Sequence, residues 1–233
     1  LATSTHATHA VTPGSNVSYD LVRDFTPVSL LASTAFILSV HPSLPANSMQ
    51  ELIKLARSRP GQFNYGSAGN GSPPHLTTEL FKSMTGVSVV HVPYKTIAAA
   101  VIDLMSGQLQ FMFVVAPSGL PHIQSGRIRA LAVSSARRSP FAPEIPTVAE
   151  SGLPGFDIFT WNGVLAPAGT PKPVIDKLNA GIVAALQLPD VRERVANSGF
   201  GPLGTSAVEF GGFLKSELAR WTQVAKVSGA RID

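Results

Sequence analysis

Apolar residues recur at helical spacing in several segments, and most of these segments open on a cap. Ser48 and Glu51 form a capping box ahead of MQELIKLARSR (49–59), which Pro60-Gly61 ends. Ser72 precedes Pro73, an N-cap followed by proline in the first turn, and Leu76, Leu80, Phe81 and Met84 then share one face. Thr170-Pro171 repeats that device before KPVIDKLNAGIVAALQ. Pro189 heads a further helix closed by Gly199, and Ser206 with Glu209 caps AVEFGGFLKSELARWTQVAKVSG. Between the helices lie β-like runs at 26–32, 36–40, 63–66, 87–92, 109–115, 128–135 and 158–167. From about 36 to 135 strands and helices alternate, which predicts an α/β unit with a mainly parallel sheet and helices on its faces. After residue 170 the pattern turns almost wholly helical, so those helices are assigned to a different lobe.

Composition narrows the class. Hydrophobic residues make up 44% and charged residues 14%, which suits a globular chain and not a disordered one. The absence of cysteine excludes disulfides, thiolate metal sites and a Cys nucleophile. The net charge is +4 with the basic residues scattered, and Arg192 and Arg194 read as a solvated helix face. No basic patch is interleaved with aromatics, so nucleic acid is not an expected partner, while a mildly basic body favours small anions. AFILSV (35–40) is strand-sized, and no run reaches membrane-spanning length; no membrane insertion is expected. The opening LATSTHATHA has neither the basic start nor the apolar stretch of a signal peptide, as in a mature secreted protein. It also begins directly on small and hydroxyl residues with no strand to hold them, so a section ahead of it is expected to be missing.

The richest chemistry lies at strand-to-helix junctions. Eight of the nine residues 64–72 are Gly, Ala, Ser or Asn, placed between a strand and a helix. Gly66, Gly69 and Gly71 let a ligand approach the backbone, Ser67, Asn70 and Ser72 add polar groups, and a helix N-terminus favours an anion. Thr96 caps a second helix after VVHVPYK, with Ile97 and Ala98 in its first turn, and Ser118 is expected to start a third after FMFVVAP. All three junctions follow successive strands and are expected at one carboxyl edge, where open α/β sheets bind ligands. Tyr65-Gly66-Ser67-Ala68-Gly69 nearly matches the hydrolase elbow, with Tyr where the first Gly belongs, so a serine hydrolase using Ser67 is the competing enzymatic reading. An effector-sensing domain of a regulator is a third, but it needs an attached DNA-binding segment. No dinucleotide fingerprint or P-loop is present, and no cofactor is expected. His6 and His9 lack a third ligand at metal spacing, and no carboxylate pair suggests hydrolysis. His75, His91 and His122 sit in apolar contexts and read as satisfied local residues. Trp161 reads equally as a core aromatic or a ligand wall.

The segments DFTPVSLLA, HPSLPANSMQELIKLAR, PGQFNYGSAGNGSPPHLTTELFKSMTG, VVHVPYK, PSGLPHIQSGRIRALAVSSARRSP, PEIPTVAESGLPGF, WNGVLAPAGTPKPVIDKLNA and PDVRERVANSGFGPLGTS together resemble the Bug-type extracytoplasmic solute receptors of tripartite tricarboxylate transporters. The resemblance implies a non-catalytic periplasmic receptor with a two-lobed, type II-like Venus flytrap fold. It would close on a small organic carboxylate and hand it to membrane transporter subunits. It further implies that the chain crosses between lobes near 32–35 and 157–161, so 33–157 is lobe two and 1–32 with 158–233 is lobe one, N-terminally incomplete. The expected ligand contacts are Ser67, Asn70, Gly71, Ser72, Tyr94, Thr96 and Ala98 from lobe two. Ser4, Thr5 and His6, which match the family's hydroxyl-bearing loop, and Thr160 with Trp161 are added from lobe one. Val114-Val115 stands where the family usually has Asp-Asn, and Thr96-Ile97 where it has a Gly-rich turn; both changes imply a more apolar or narrower pocket. With the leading β–α–β section absent, Val174, Leu178, Ile182 and Leu186, and Phe210, Leu214, Leu218 and Trp221, are expected to be exposed or to need a partner chain.

Overall fold

Residues 1–232 are described in the computed structural model, and one long strand organises them. The elements are β1 (Ala2–Thr3), α1 (Ser4–Val11), β2 (Phe25–Val40), α2 (Met49–Ser58), β3 (Asn64–Ser67), α3 (Pro73–Thr85), β4 (Val90–Pro93) and α4 (Ile97–Met105). They continue as β5 (Phe111–Val115), α5 (Ala116–Gln124), β6 (Arg129–Val133), β7 (Phe159–Pro167), α6 (Lys172–Gln187), α7 (Pro189–Asn197), β8 (Gly201–Pro202) and α8 (Ala207–Ser228). The two runs read separately at 26–32 and 36–40 are one 16-residue strand, β2. Ser33-Thr34-Ala35 contains no Gly or Pro and continues the extended backbone. Register shifts at Pro27/Ser29 and Leu30/Ala32 absorb its irregularities.

β2 changes partners along its length. Residues 25–35 pair antiparallel with β7, and Ala32 and Ser33 with β8. Residues 36–40 pair antiparallel with β5 on one side and β6 on the other. β5, β3 and β4 then follow in parallel. The sheet is therefore mixed, a correction to the parallel expectation: β2 enters from the β7 side and runs against β3–β6, and no helical crossover precedes it.

Alternation along β2 and β5 sorts the core. Phe36, Leu38, Phe111 and Phe113 face one cluster with Tyr65 and Phe81, while Ile37, Met112 and Val114 face another with Leu104 and Val133. Helix α8 packs on β2, α1 and α3. Phe210, Leu214 and Trp221 are thereby buried at 0, 1 and 0% exposure, contrary to the expectation that they lack cover. Gly163 of β7 makes this possible, because a Cβ there would lie 2.3 Å from the Phe210 ring. On α6, Leu186 is buried but Val174 and Leu178 remain open. The first residues are also held: β1 pairs with β7, Ala2 opposite Gly163.

Candidate functional site

Because β3, β4 and β5 are parallel, the turns that follow them share one edge of the sheet. The pairings Phe36–Val115 and Thr34–Thr160 bring the middle of β2 and the start of β7 to that edge. A cavity of about 360 Å³ opens there. Thr3, Thr5 and His9 line it from α1 and its cap, and Ala68, Asn70, Ser72, Pro73 and Pro74 from the turn into α3. Phe36, Ile97, Val115 and Phe200 add apolar wall, and Thr160 and Asn162 project from β7. Val115 faces the cavity while Val114 is fully buried. No Lys, Arg, Asp or Glu lines it, and His9 is its one ionisable side chain among the described residues. A second cleft of about 330 Å³ lies at the opposite face of the same strands, with Ala35, Arg137, Phe141 and Phe159 in its wall. The helix N-termini open onto the first cavity, so that one is the candidate site.

The glycine-rich turn bonds mostly to itself. The Ser72 hydroxyl and N–H both donate to the Gly69 carbonyl, at 2.6 and 3.2 Å. The Gly69 N–H donates to Ser67 Oγ at 3.1 Å, and the Gly71 N–H to His75 Nδ1 at 3.1 Å. Gly71 has φ +72°, and a Cβ on it would meet the Ile232 side chain at 2.3 Å, so only glycine fits. Pro73 and Pro74, in the first turn of α3, have no N–H to give. Among the described residues the Asn70 side-chain amide and the backbone N–H groups of Ala68 and Asn70 make no hydrogen bond, and these are what this turn offers the cavity.

The next helix keeps its donors. Thr96 Oγ1 accepts the Ala99 N–H at 3.3 Å, while Ile97 and Ala98, earlier in the same turn, have no intrahelical acceptor for theirs. At the third junction the helix begins at Ala116, capped by Val115, so Ser118 lies inside the first turn and is not its start.

Of the residues expected from sequence, Thr5, Asn70, Ser72 and Thr160 line the cavity, and Thr96 and Ala98 sit at the N-terminus beside Ile97. Others turn elsewhere. Ser4 is buried and its hydroxyl bonds Thr160 Oγ1 at 2.5 Å, tying α1 to β7. His6 Nδ1 folds back onto Thr3, 3.2 Å from its N–H, and serves as a cap. The Tyr94 hydroxyl donates to Asp103 at 2.6 Å; burial and that bond push it up to about 12. Trp161 is fully buried, its indole N–H donating to Glu217 Oε2 at 2.9 Å beside that of Trp221. Burial raises the pKa of that carboxyl group. Trp161 is thus a core residue in this structure, behind the wall that Thr160 and Asn162 present.

Ser67 has a base within reach: its Oγ lies 2.6 Å from His91 Nε2. The two are brought together by the β3–β4 register, which places His91 beside Tyr65. The His91 ring is stacked between His75, at 4.1 Å, and Tyr65, at 4.8 Å. Burial, then the His75 and Lys82 charges, lowers it to about 3. The His75 pKa is lowered as well, chiefly by burial. Ser67 is fully buried, and no carboxylate bonds His91 among the described residues. A sealed hydroxyl beside a base this weak is poorly arranged for attack on a substrate. Among the described residues no cluster of three or more His, Asp or Glu could hold a metal, and no helix is long and apolar enough to cross a membrane.

The family model for tripartite tricarboxylate transporter family receptors matches residues 2–229. The chain belongs to that family. The protein BugT of Bordetella pertussis is 36% identical over 217 residues, covering 93% of this chain and 67% of that protein. The chain spans about three fifths to two thirds of the length of the first curated relatives it matches. Among solved structures, R. palustris Rpa4515 with adipate superposes with a TM-score of 0.91 at 37% identity, over 100% of this chain and 78% of that one. MatC (Rpa3494) from Rhodopseudomonas palustris with bound malate gives 0.85 at 30%, over 96% and 77%. The fold is that of these two-lobed periplasmic binding proteins.

Proposed function

We propose that this chain is the ligand-binding part of a periplasmic receptor that captures a small organic carboxylate and delivers it to a tripartite tricarboxylate-type transporter. The observation that carries the reading is the cavity itself: apolar walls, uncharged hydrogen-bonding groups and the free N–H groups that start α4. A carboxylate held by such donors needs no buried cation to neutralise it. The apolar patches of Phe36, Val115 and Phe200 suit an aliphatic body. The adipate and malate in the related structures are of this class. In this reading residues 33–157 form one lobe and 1–32 with 158–233 the other, with closure about the stretch where β2 exchanges β7 for β5. The hydrolase reading is disfavoured by the buried Ser67. Isothermal calorimetry with a series of aliphatic mono- and dicarboxylates tests the proposal. Saturable binding of at least one acid, with no turnover of generic esters, is expected. Ester turnover lost in Ser67→Ala would overturn it.

A further inference from the structure

His9 is the one ionisable side chain in the cavity wall among the described residues, and its spacing from His6 reads only as an incomplete metal pair. It lies four residues after Thr5, so both project from one face of α1 into the cavity. Its ring reaches across to the turn before α3: a Cβ on Gly71 would lie 3.4 Å from His9 Cδ2. His9 therefore faces the binding turn from the opposite wall. Its own surroundings favour the neutral ring, through partial burial and then the charge of His6 one turn earlier. The wall facing it, from Ala68 to Pro74 through Asn70 and Ser72, carries no charged side chain, and His75 behind it bonds Gly71 through Nδ1. Helix α8, packed on α1, holds its buried carboxylate, Glu217, against the two indoles. Among the described residues an anion brought into the cavity thus meets one lining group able to change charge in response.

We propose that His9 sets the preference for dicarboxylates by taking up a proton as the ligand binds. One carboxylate occupies the uncharged donors at the start of α4, and the second lies against His9, which it converts to the cation. The proton comes from solvent, and binding of the dianion then delivers one fewer net negative charge to the cavity than the ligand carries. A monocarboxylate leaves His9 neutral. This inference rests on the carboxylate-receptor reading above.

The sign follows from linkage. A base whose pKa is raised by the bound anion makes affinity rise as pH falls, by up to about tenfold per pH unit, between its bound and free pKa values. Calorimetry with adipate and with hexanoate, from pH 8 to pH 6 in buffers of differing ionisation enthalpy, reads both affinity and proton uptake. Adipate affinity is expected to rise on acidification with uptake of up to one proton, while hexanoate shows neither. In His9→Gln the adipate slope and the proton uptake should disappear, with the fold checked by circular dichroism. Adipate binding without pH dependence or proton uptake overturns the His9 role and leaves the receptor reading standing. So does a slope that persists in His9→Gln, which would assign it to another group. Failure of both acids, and of the rest of the aliphatic series, to bind at any pH overturns the receptor reading as well.

Discussion

Helix α3 follows GSAGNGS and opens on two prolines, and α4 follows a proline, a tyrosine, a lysine and one threonine. By composition the first turn is the anion cradle and the second is ordinary. At the helix starts themselves the order is reversed. Around α3 the Ser72, Gly69 and Gly71 donors are bonded within the turn or to His75, and the first two helical residues have no N–H. Around α4 a single hydroxyl caps one N–H and leaves two. Small residues therefore gave the first turn its shape and the cavity its space, while the plainer junction keeps the first two helical N–H groups that the prolines deny α3. A glycine-rich turn is evidence of close approach; who approaches is decided by where its N–H groups point.

The largest test exchanges the two designs. Ile97→Pro puts proline at the first helical position, where the Thr96 backbone (φ −141°, ψ 149°) already accepts it. It should weaken carboxylate binding about tenfold or more, since a hydrogen bond to a charged group is worth roughly 1.5–3 kcal/mol. Pro73→Ala, which restores a donor at α3, should tighten binding several-fold. Calorimetry on both checks this, and equal affinities in the two variants would mean that neither helix end faces the ligand.

Next in size is the support beneath the first turn. His75 and His91 hold it as neutral rings, and the folded state keeps His91 down to about 3. The stability this gives is fully present above the ordinary histidine value of 6.5 and is lost as pH falls toward 3. Urea midpoints should fall between pH 7 and pH 5, and His91→Gln should flatten that fall. The smallest effect is expected of Ser72→Ala. Its hydroxyl donates to Gly69 and not toward the cavity, so affinity should change by less than about threefold, against a larger loss in Thr96→Ala.

Local signals were legible in the sequence. The box at Ser206 and the proline start at 73 appear where the residues place them, because a cap involves only neighbours. At Ser48 the hydroxyl accepts the Glu51 N–H, but the Glu51 carboxylate takes the Asn47 N–H and leaves the box half closed. Helix α6 has Pro171 at its N-cap, one residue later than the Thr170 expected there. The common edge of the junctions was legible too, since parallel strands joined by helices leave little choice. Direction within an element was available but unused. Thr160 and Trp161 are adjacent on a strand and must face opposite sides, and Thr5 shares a helical face with His9 and not with His6. Two missing N–H groups are likewise written in Pro73-Pro74. The Ser67–His91 contact and the Glu217 acceptor for Trp161 were not legible. They depend on strand register and on the seat of α8, separated by 24 and 56 residues.

Strand β2 remains one continuous strand through the place where its neighbours change. A flexible linker would let two bodies come apart and melt independently; a shared strand transmits load in shear along its own hydrogen bonds. Fraying on the β7 side removes the template that holds Phe36 against Val115, and fraying on the β5 side does the same to Thr34 against Thr160. Neither half can be lost without loosening the edge of the other, so the two sets of pairings act as one mechanical unit.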